Sequence, residues 1–292
     1  MKKVAFVTYK ESADLSDSDQ LLVAPMAEQG YKVVPVPWDD TSVTWTEFSC
    51  VVFRSCWNYH YNTNKFSQWL ALLEKQKVKT WNPLEIIKWN IDKSYLQDLK
   101  ERFSVNIIPT IYIKKGDSSN LEDIVKNSGW LEVVVKPCIG SSAYKIFKTT
   151  IAEAPKYQQD FSDILSSTNV MVQPLIPELV QNGEISMVFL NKIFSHAINR
   201  KPKQGEFRSN FRFGGIESRA EPSKAMINDA QDILDNIDSV LLYARVDGIM
   251  KDGKFMLMEL ELIEPYLFFN LDRESPIRFA EAFNDLSQKP TI

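Results

Sequence analysis

The sequence predicts an α/β protein with α+β character and more than one domain. Three observations point there. The chain is 292 residues long, enough for several packed layers, and 44% hydrophobic with 25% charged residues, as in ordinary globular proteins. Its first third alternates short β-branched runs with amphipathic stretches, the pattern of a parallel sheet. At Trp81–Asn90 that alternation breaks, and later segments read as helices and strands with a hairpin near the end.

In order along the chain, Val4–Tyr9 ("VAFVTY") reads as a first strand and Asp19–Gln29 as a helix stopped by Gly30. "YKVVPVPW" and "CVVFRS" read as further strands, and "NKFSQWLALLEKQK" as a helix. "WNPLEIIKWN" (Trp81–Asn90) marks a boundary. The helix expected over Asn90–Phe103 carries an apolar stripe at Leu96, Leu99 and Phe103, and would hold Lys93 in its first turn. "IIPTIYI", a helix near Asn120–Asn127, and the strand "LEVVVKP" follow; a polar, Ser-rich segment then leads to the strand "NVMVQPLI". "EISMVFLNKIFSHAINR" reads as two strands turning at Leu190–Asn191–Lys192. A loop rich in Arg, Gly and Phe comes next, then a helix over about Ser223–Arg245 and a hairpin around Asp252–Gly253. The implied division is 1–88, 89–172 and 173–292.

Composition excludes several classes. A net charge of −4 gives no footprint for nucleic acid, and no apolar run is long enough to span a membrane. Three cysteines (Cys50, Cys56, Cys138) imply no disulfide framework and suit a reducing, cytoplasmic setting. Two histidines make a histidine-built zinc site implausible; His196, mid-strand, reads as structural. Cys56 has no visible base partner, so no thiol nucleophile is expected. No G-x-G-x-x-G follows the first strand, which argues against a dinucleotide enzyme.

The segment "FMLMELELIEP" (Phe255–Pro265) carries the most chemistry. Strict alternation puts Leu257, Glu259, Glu261 and Ile263 on one face and Met256, Met258, Leu260 and Leu262 on the other. Two carboxylates on a face shared with Leu257 and Ile263 point to a cation site, against the plainer reading of a solvated edge. The hairpin register decides whether Asp247 joins them. A two-residue loop pairs Asp247 with Met258, facing away. A three-residue loop or a bulge sets Asp247 opposite Glu259 and Arg245 opposite Glu261, gathering three hard oxygen donors suited to Mg²⁺. Asp-Gly allows either.

Lys136 ends the apolar run "LEVVVKP", where an ammonium is costly unless it meets an anion, and "CIGSSAYK" behind it offers small residues whose amides can approach phosphate. Lys93 at a helix start is unfavourable unless an anion sits there. The plainer readings are a snorkelling strand-end lysine and a solvated one beside Asp92.

In their order, "DKSYL", "VVVKP" with its small-residue loop, "VQPLIPE", "GEISMV", "RVDGI" and "MELE" resemble the ATP-grasp ligases. The likeness is greatest to the branch containing the cyclo-ligase of D-cycloserine biosynthesis, then to bacterial glutathione synthetase and the glutamate ligases that modify ribosomal protein S6. It extends to "RSCWNY…KFSQWL" and "WNPLEIIKWNIDKSYLQDL". The resemblance implies an ATP-grasp fold behind a Rossmann-like N-terminal domain, and an ADP-forming carboxylate–amine ligase that works through an acyl-phosphate on a small amino-acid-like carboxylate and an amine-type nucleophile. The alternative is a nucleotide-binding module of the same fold without turnover. ATP would be held by Lys93, Lys136, Ser141, Ser142, Gln173, Leu175, Ile176, Glu178 and Glu184. One or two Mg²⁺ ions would sit on Asp247, Glu259 and Glu261, although most relatives carry Asn where this chain has Glu261. Lys201, Arg208 and Asn210 would act on the transferring group. Arg54, Ser55, Trp57, Tyr59, Gly214 and Gly215 would meet the substrate, with Trp57 and Tyr59 equally readable as core. Lys201 stands where many such ligases have Arg, and Ser186 departs from the family's Arg. A helix or edge strand of the first domain is available for a homodimer.

Overall fold

The computed structural model describes residues 1–288 in three sheets. The first is parallel, in the order β2-β1-β3-β4, formed by β1 (Lys2–Thr8), β2 (Tyr31–Pro37), β3 (Cys50–Phe53) and β4 (Thr80–Trp81). Between β1 and β2 the expected single helix is two short ones, α1 (Asp17–Gln20) and α2 (Val23–Glu28), broken at Leu21–Leu22 ahead of Pro25. Proline tolerates only the first turn of a helix, so a new helix has to start just before it. Helix α3 (Thr63–Lys75) buries Phe66, Trp69, Leu70 and Leu73 on the sheet.

Trp81 belongs to the edge strand β4, and α4 (Leu84–Asn90) follows directly. The next helix, α5 (Tyr95–Phe103), starts later than expected, so Lys93 stands in the turn between two helices and not in a first helical turn. Strand β5 (Ile111–Ile113), α6 (Leu121–Ser128), β6 (Glu132–Pro137), β7 (Phe147–Thr150), α7 (Gln158–Ser167) and β8 (Val170–Pro174) build an antiparallel sheet in the order β5-β8-β6-β7. Strand β7 and helix α7 lie where the sequence reading had only a polar segment. Phe161, Ile164 and Leu165 make the apolar stripe of α7, diluted by serines and aspartates.

The third sheet is also antiparallel, in the order β11-β10-β9-β12-β13. After α8 (Pro177–Asn182) it takes in β9 (Glu184–Leu190), β10 (Ile193–Lys201), β11 (Ile216–Ala220), β12 (Tyr243–Lys251) and β13 (Lys254–Glu261). Helix α9 (Lys224–Asp235) ends ten residues short of Arg245, which lies in β12. α10 (Ser275–Gln288) closes the described chain and buries Phe279 and Phe283 against the first sheet's Phe6 and Tyr31. No described helix is long and apolar enough to cross a membrane.

The free edge of β13 is covered by side chains from the α4–α5 region. Asn90 donates to Leu260 O at 2.8 Å and accepts from Leu262 N at 2.9 Å, and Tyr95 OH accepts from Leu260 N at 2.9 Å. Asn82 clamps the same region by donating to Tyr243 O and Leu262 O. These bonds occupy edge groups that would otherwise be unpaired in the interior.

Candidate active site

A cavity of about 560 Å³ is lined by both antiparallel sheets and by residues of the N-terminal region. Its position follows from the β12–β13 hairpin. The turn is the two-residue type, with Lys251 opposite Lys254 and positive φ at Asp252 and Gly253. A bulge then shifts the register between Asp247 and Gly248, setting Asp247 opposite Glu259 and Arg245 opposite Glu261. The two-residue turn of the first alternative thus occurs with the pairing of the second, because the bulge and not the loop length sets the register at Asp247. The bulge also changes the strand's phase. Phe255 and Leu257 before it, and Leu260 and Leu262 after it, share one core cluster, while Glu259 and Glu261 line the cavity. Strict alternation wrongly placed Leu257 with the glutamates. Gly248 permits the bulge: a Cβ there would fall on the Phe255 ring and stand 2.5 Å from Met256 O.

The three carboxylates Asp247, Glu259 and Glu261 each offer an oxygen within 4.8 Å of the others'. Cationic side chains meet them. Arg245 bonds Asp247 at 2.9–3.2 Å and also reaches Glu261. Arg200 bridges Asp247 at 2.7 Å and Glu184 at 3.1 Å. Lys93 Nζ lies 3.1 Å from Glu259 and donates to Gly140 O at 2.7 Å. Burial tends to raise all three acids, but the outcomes diverge. Arg200 and Arg245 overcome burial at Asp247 and hold it below the usual range, and Lys93 and Lys136 do the same for Glu259. Glu261 is pushed up to about 7 by burial, with Glu259 and Asp247 adding to it against Arg245. Burial lowers Lys136, with the like charge of Lys93 acting the same way against the pull of Glu259.

Of the residues singled out from sequence, the cavity gathers Trp57, Tyr59, Lys93, Lys136, Ser141, Ser142, Gln173, Leu175, Ile176, Glu184, Arg208, Asn210, Glu259 and Glu261. Asp247 lies fully buried beneath them. Others are placed elsewhere. Arg54 is 1% exposed, paired with Asp19 at 2.8 Å, and donates to Pro265 O, so its charge is spent inside the fold. Ser55 is buried beside it and does not line the cavity. Glu178 on α8 pairs with Lys251 at 3.1 Å, outside the lining. Lys201 also lies outside it: side chains alternate along β10, and Arg200 is the one that enters. Gly214 and Gly215 do not reach the cavity. A Cβ on Gly215 would collide with Ser209 O, so that glycine serves the loop's own closure.

Arg208 does reach the cavity, held by Glu206 at 2.7 and 3.0 Å and stacked 3.6 Å from the Phe213 ring centroid. Tyr59 is both core and lining, packed 5.0 Å from Phe66. His196 is structural: Nε2 donates to Leu267 O at 2.8 Å. All three cysteines are free and buried, and burial pushes the Cys56 thiol well up, consistent with an inert thiol. Sequence reasoning missed Arg200 and Glu264. A buried arginine facing Glu184 across β9–β10, and a glutamate inside "LIEPYLFF", were the available signals.

Comparison with known proteins agrees with this architecture. The family profile described as prokaryotic glutathione synthetase, ATP-grasp domain, matches residues 99–271. The chain belongs to the ATP-grasp ligases. Residues 4–82 match the N-terminal domain of D-cycloserine synthetase DcsG. The cycloserine biosynthesis protein DcsG of Streptomyces lavendulae is 27% identical over 263 residues, covering 84% of this chain and 85% of that protein. A glutathione synthetase of Neisseria meningitidis serogroup B is 25% identical over 170 residues, 58% of this chain and 50% of that one. Among solved structures, D-cycloserine synthetase DcsG superposes with a TM-score of 0.86 at 24% identity, covering 98% of this chain and all of that one. The D-alanine–D-alanine ligase of Bacillus anthracis complexed with ATP gives 0.67 at 15% identity, covering 98% and 97%. As a member of this ATP-grasp family the protein is an ATP-using ligase.

Proposed function

We propose that this ATP-grasp ligase joins a small amino-acid-like carboxylate to an amine through an acyl-phosphate, releasing ADP and phosphate. The observation that carries the reading is the convergence at one cavity of two partly buried lysines, a small-residue loop, and Glu259 and Glu261 over the buried Asp247, the three carboxylates within 4.8 Å of one another. Lys93 and Lys136 would receive the nucleotide's phosphates as point charges, with the amides of the Gly140–Ser142 loop beside them. Leu175 and Ile176, just past β8, would meet the base, and Glu184 the ribose.

Asp247, Glu259 and Glu261 fit a hard divalent cation by donor type and mutual distance. Mg²⁺ bound there would neutralise phosphate charge. The pairing of all three acids with Arg245, Arg200 and Lys93 fits the same reading, because those cations are available to turn toward phosphate oxygens when the acids take metal. Arg208 and Asn210, on the loop lining the cavity, would stabilise the charge on the acyl-phosphate and its tetrahedral adduct. Their Glu206 and Phe213 supports hold the guanidinium in place. The protein contributes position and charge, with no covalent nucleophile.

The test is ADP release, measured with a coupled assay, against a panel of L- and D-amino acids with and without amine acceptors. Stimulated release with at least one of them is expected. Tight Mg-ATP binding with no stimulated release from any panel member would refute the ligase reading.

A further inference from the structure

Glu264 stands apart from the other acids of the cavity. It is 8% exposed and lines the cavity three residues beyond Glu261. Glu184, Glu259 and Glu261 each pair with a guanidinium or an ammonium. Glu217 faces the charges of Arg200 and Arg245. Among the described residues, no side chain hydrogen-bonds or ion-pairs with the Glu264 carboxylate. Burial and then Glu261 oppose its ionisation, Lys93 and its own backbone amide favour it, and Glu259 opposes it further, with Cys56 and Tyr59 close by.

The backbone that carries it is fixed with unusual thoroughness. Four consecutive carbonyls accept side-chain donors: Ile263 O from Tyr243 OH at 2.9 Å, Glu264 O from the Trp57 indole at 3.0 Å, Pro265 O from Arg54 at 3.1 Å and Tyr266 O from Arg245 at 3.0 Å. Three of those donors are themselves buried side chains. Packing and supporting hydrogen bonds of this kind hold a functional group in a set place. Here they hold a carboxylate with no bonded cationic partner in the acid-rich part of the cavity. Such a group is costly unless it stays neutral or a ligand supplies the missing charge.

We propose that Glu264 is the amine subsite of this cavity, receiving the ammonium of an amino-acid-like ligand. The inference rests on the ligase reading for the ligand's class, and names the residue that selects an amino acid over the matching hydroxy acid. A carboxylate ligand group is disfavoured beside Glu264, whereas an ammonium meets the one cavity acid that neither a cationic side chain nor the proposed metal takes up. Burial, reinforced by Glu261, pushes the Glu264 carboxyl up to about 8, so it waits neutral and ionises against a cation. The roles of Arg54 and Trp57 follow. Both support this loop through its carbonyls, and Trp57 also lines the cavity.

The test is calorimetry on the full chain with Mg²⁺ and a non-hydrolysable ATP analogue. The titrants are L- and D-alanine and serine, each beside its 2-hydroxy counterpart, lactate or glycerate. At least one amino acid should bind ten-fold or more tightly than its hydroxy counterpart. Glu264→Gln, equal in shape, should abolish that preference while nucleotide affinity stays within two-fold, which also reports that the variant is folded. Equal binding of the two acid types, a preference that survives in Glu264→Gln, or binding of neither type would overturn the subsite. The ADP-release assay reads the other question. Release without ammonium preference removes the Glu264 subsite and leaves the ligase, and ammonium preference without release does the reverse.

Discussion

Replacing Glu259 by Gln removes one partly buried negative charge and keeps the side chain's shape. In the structure that charge lies 3.1 Å from the Lys93 ammonium and also pulls on Lys136. At an effective dielectric of about 20, a pair at that distance attracts by about 5 kcal/mol before desolvation is counted. Glu259 is about one-third exposed and Lys93 keeps its bond to Gly140 O, so most of that gross attraction is offset. A net destabilisation of about 1–2 kcal/mol is expected for the nucleotide-free protein, toward the low end for a broken ion pair that is only partly buried. Turnover should suffer far more. The variant lacks one oxygen donor of the trio, and a loss of about 100-fold in ADP release corresponds to about 2.7 kcal/mol of transition-state stabilisation. Binding of ATP without metal should hold or improve, because one carboxylate no longer repels the phosphates. The assay is ADP release titrated with Mg²⁺, beside ATP calorimetry in EDTA. Release within three-fold of wild type at limiting Mg²⁺ would refute the assignment of Glu259 to a metal, and would leave it a partner of Lys93 alone.

Four further outcomes are expected. Lys136→Ala should weaken nucleotide binding at least ten-fold by calorimetry, since a phosphate charge would be left unmet in a closed site; unchanged affinity would make Lys136 a strand-end lysine and no more. Arg54→Ala should lower stability by about 3–5 kcal/mol in urea titration, because it strands Asp19, itself 1% exposed; a loss under 1 kcal/mol would show that the pair is not what holds this region. Gly248→Val should lower the melting temperature by several degrees, as a side chain there meets the Phe255 ring and Met256 O; an unchanged Tm would show that the close approach at Gly248 does not limit the bulge. His196 is held neutral, lowered to about 4 by burial, against about 6.5 in the unfolded chain. Its contribution is therefore complete above about pH 6.5 and is lost as pH falls toward 4, by at most about 3 kcal/mol. His196→Gln should flatten the stability curve between pH 7 and pH 4.5, and curves that stay parallel would exclude it.

The sequence by itself determined much of this protein. Runs such as "CVVF" and "VVVKP", the apolar stripe of α3 and the Asp-Gly turn carry local signals strong enough to place strands, helices and the hairpin, because periodicity and turn chemistry act over a few residues. The same locality made the two lysines and the glutamates visible as charges in apolar company. Strand β7 and helix α7 escaped because serines and aspartates dilute their apolar positions, and the expected helix ran on into the first residues of β12 because nothing local ends α9 where packing ends it. The tertiary structure alone decided which charges face the cavity. A one-residue bulge beside Gly248 reverses the inward face of β13, and a one-residue alternation on β10 sends Arg200 inward in place of Lys201. Arg54 was plausible as a ligand group until Asp19, 35 positions away in sequence, was found against it. Charge pairing across distant segments depends on where the chain folds back, and no local pattern encodes the identity of the partner that arrives there.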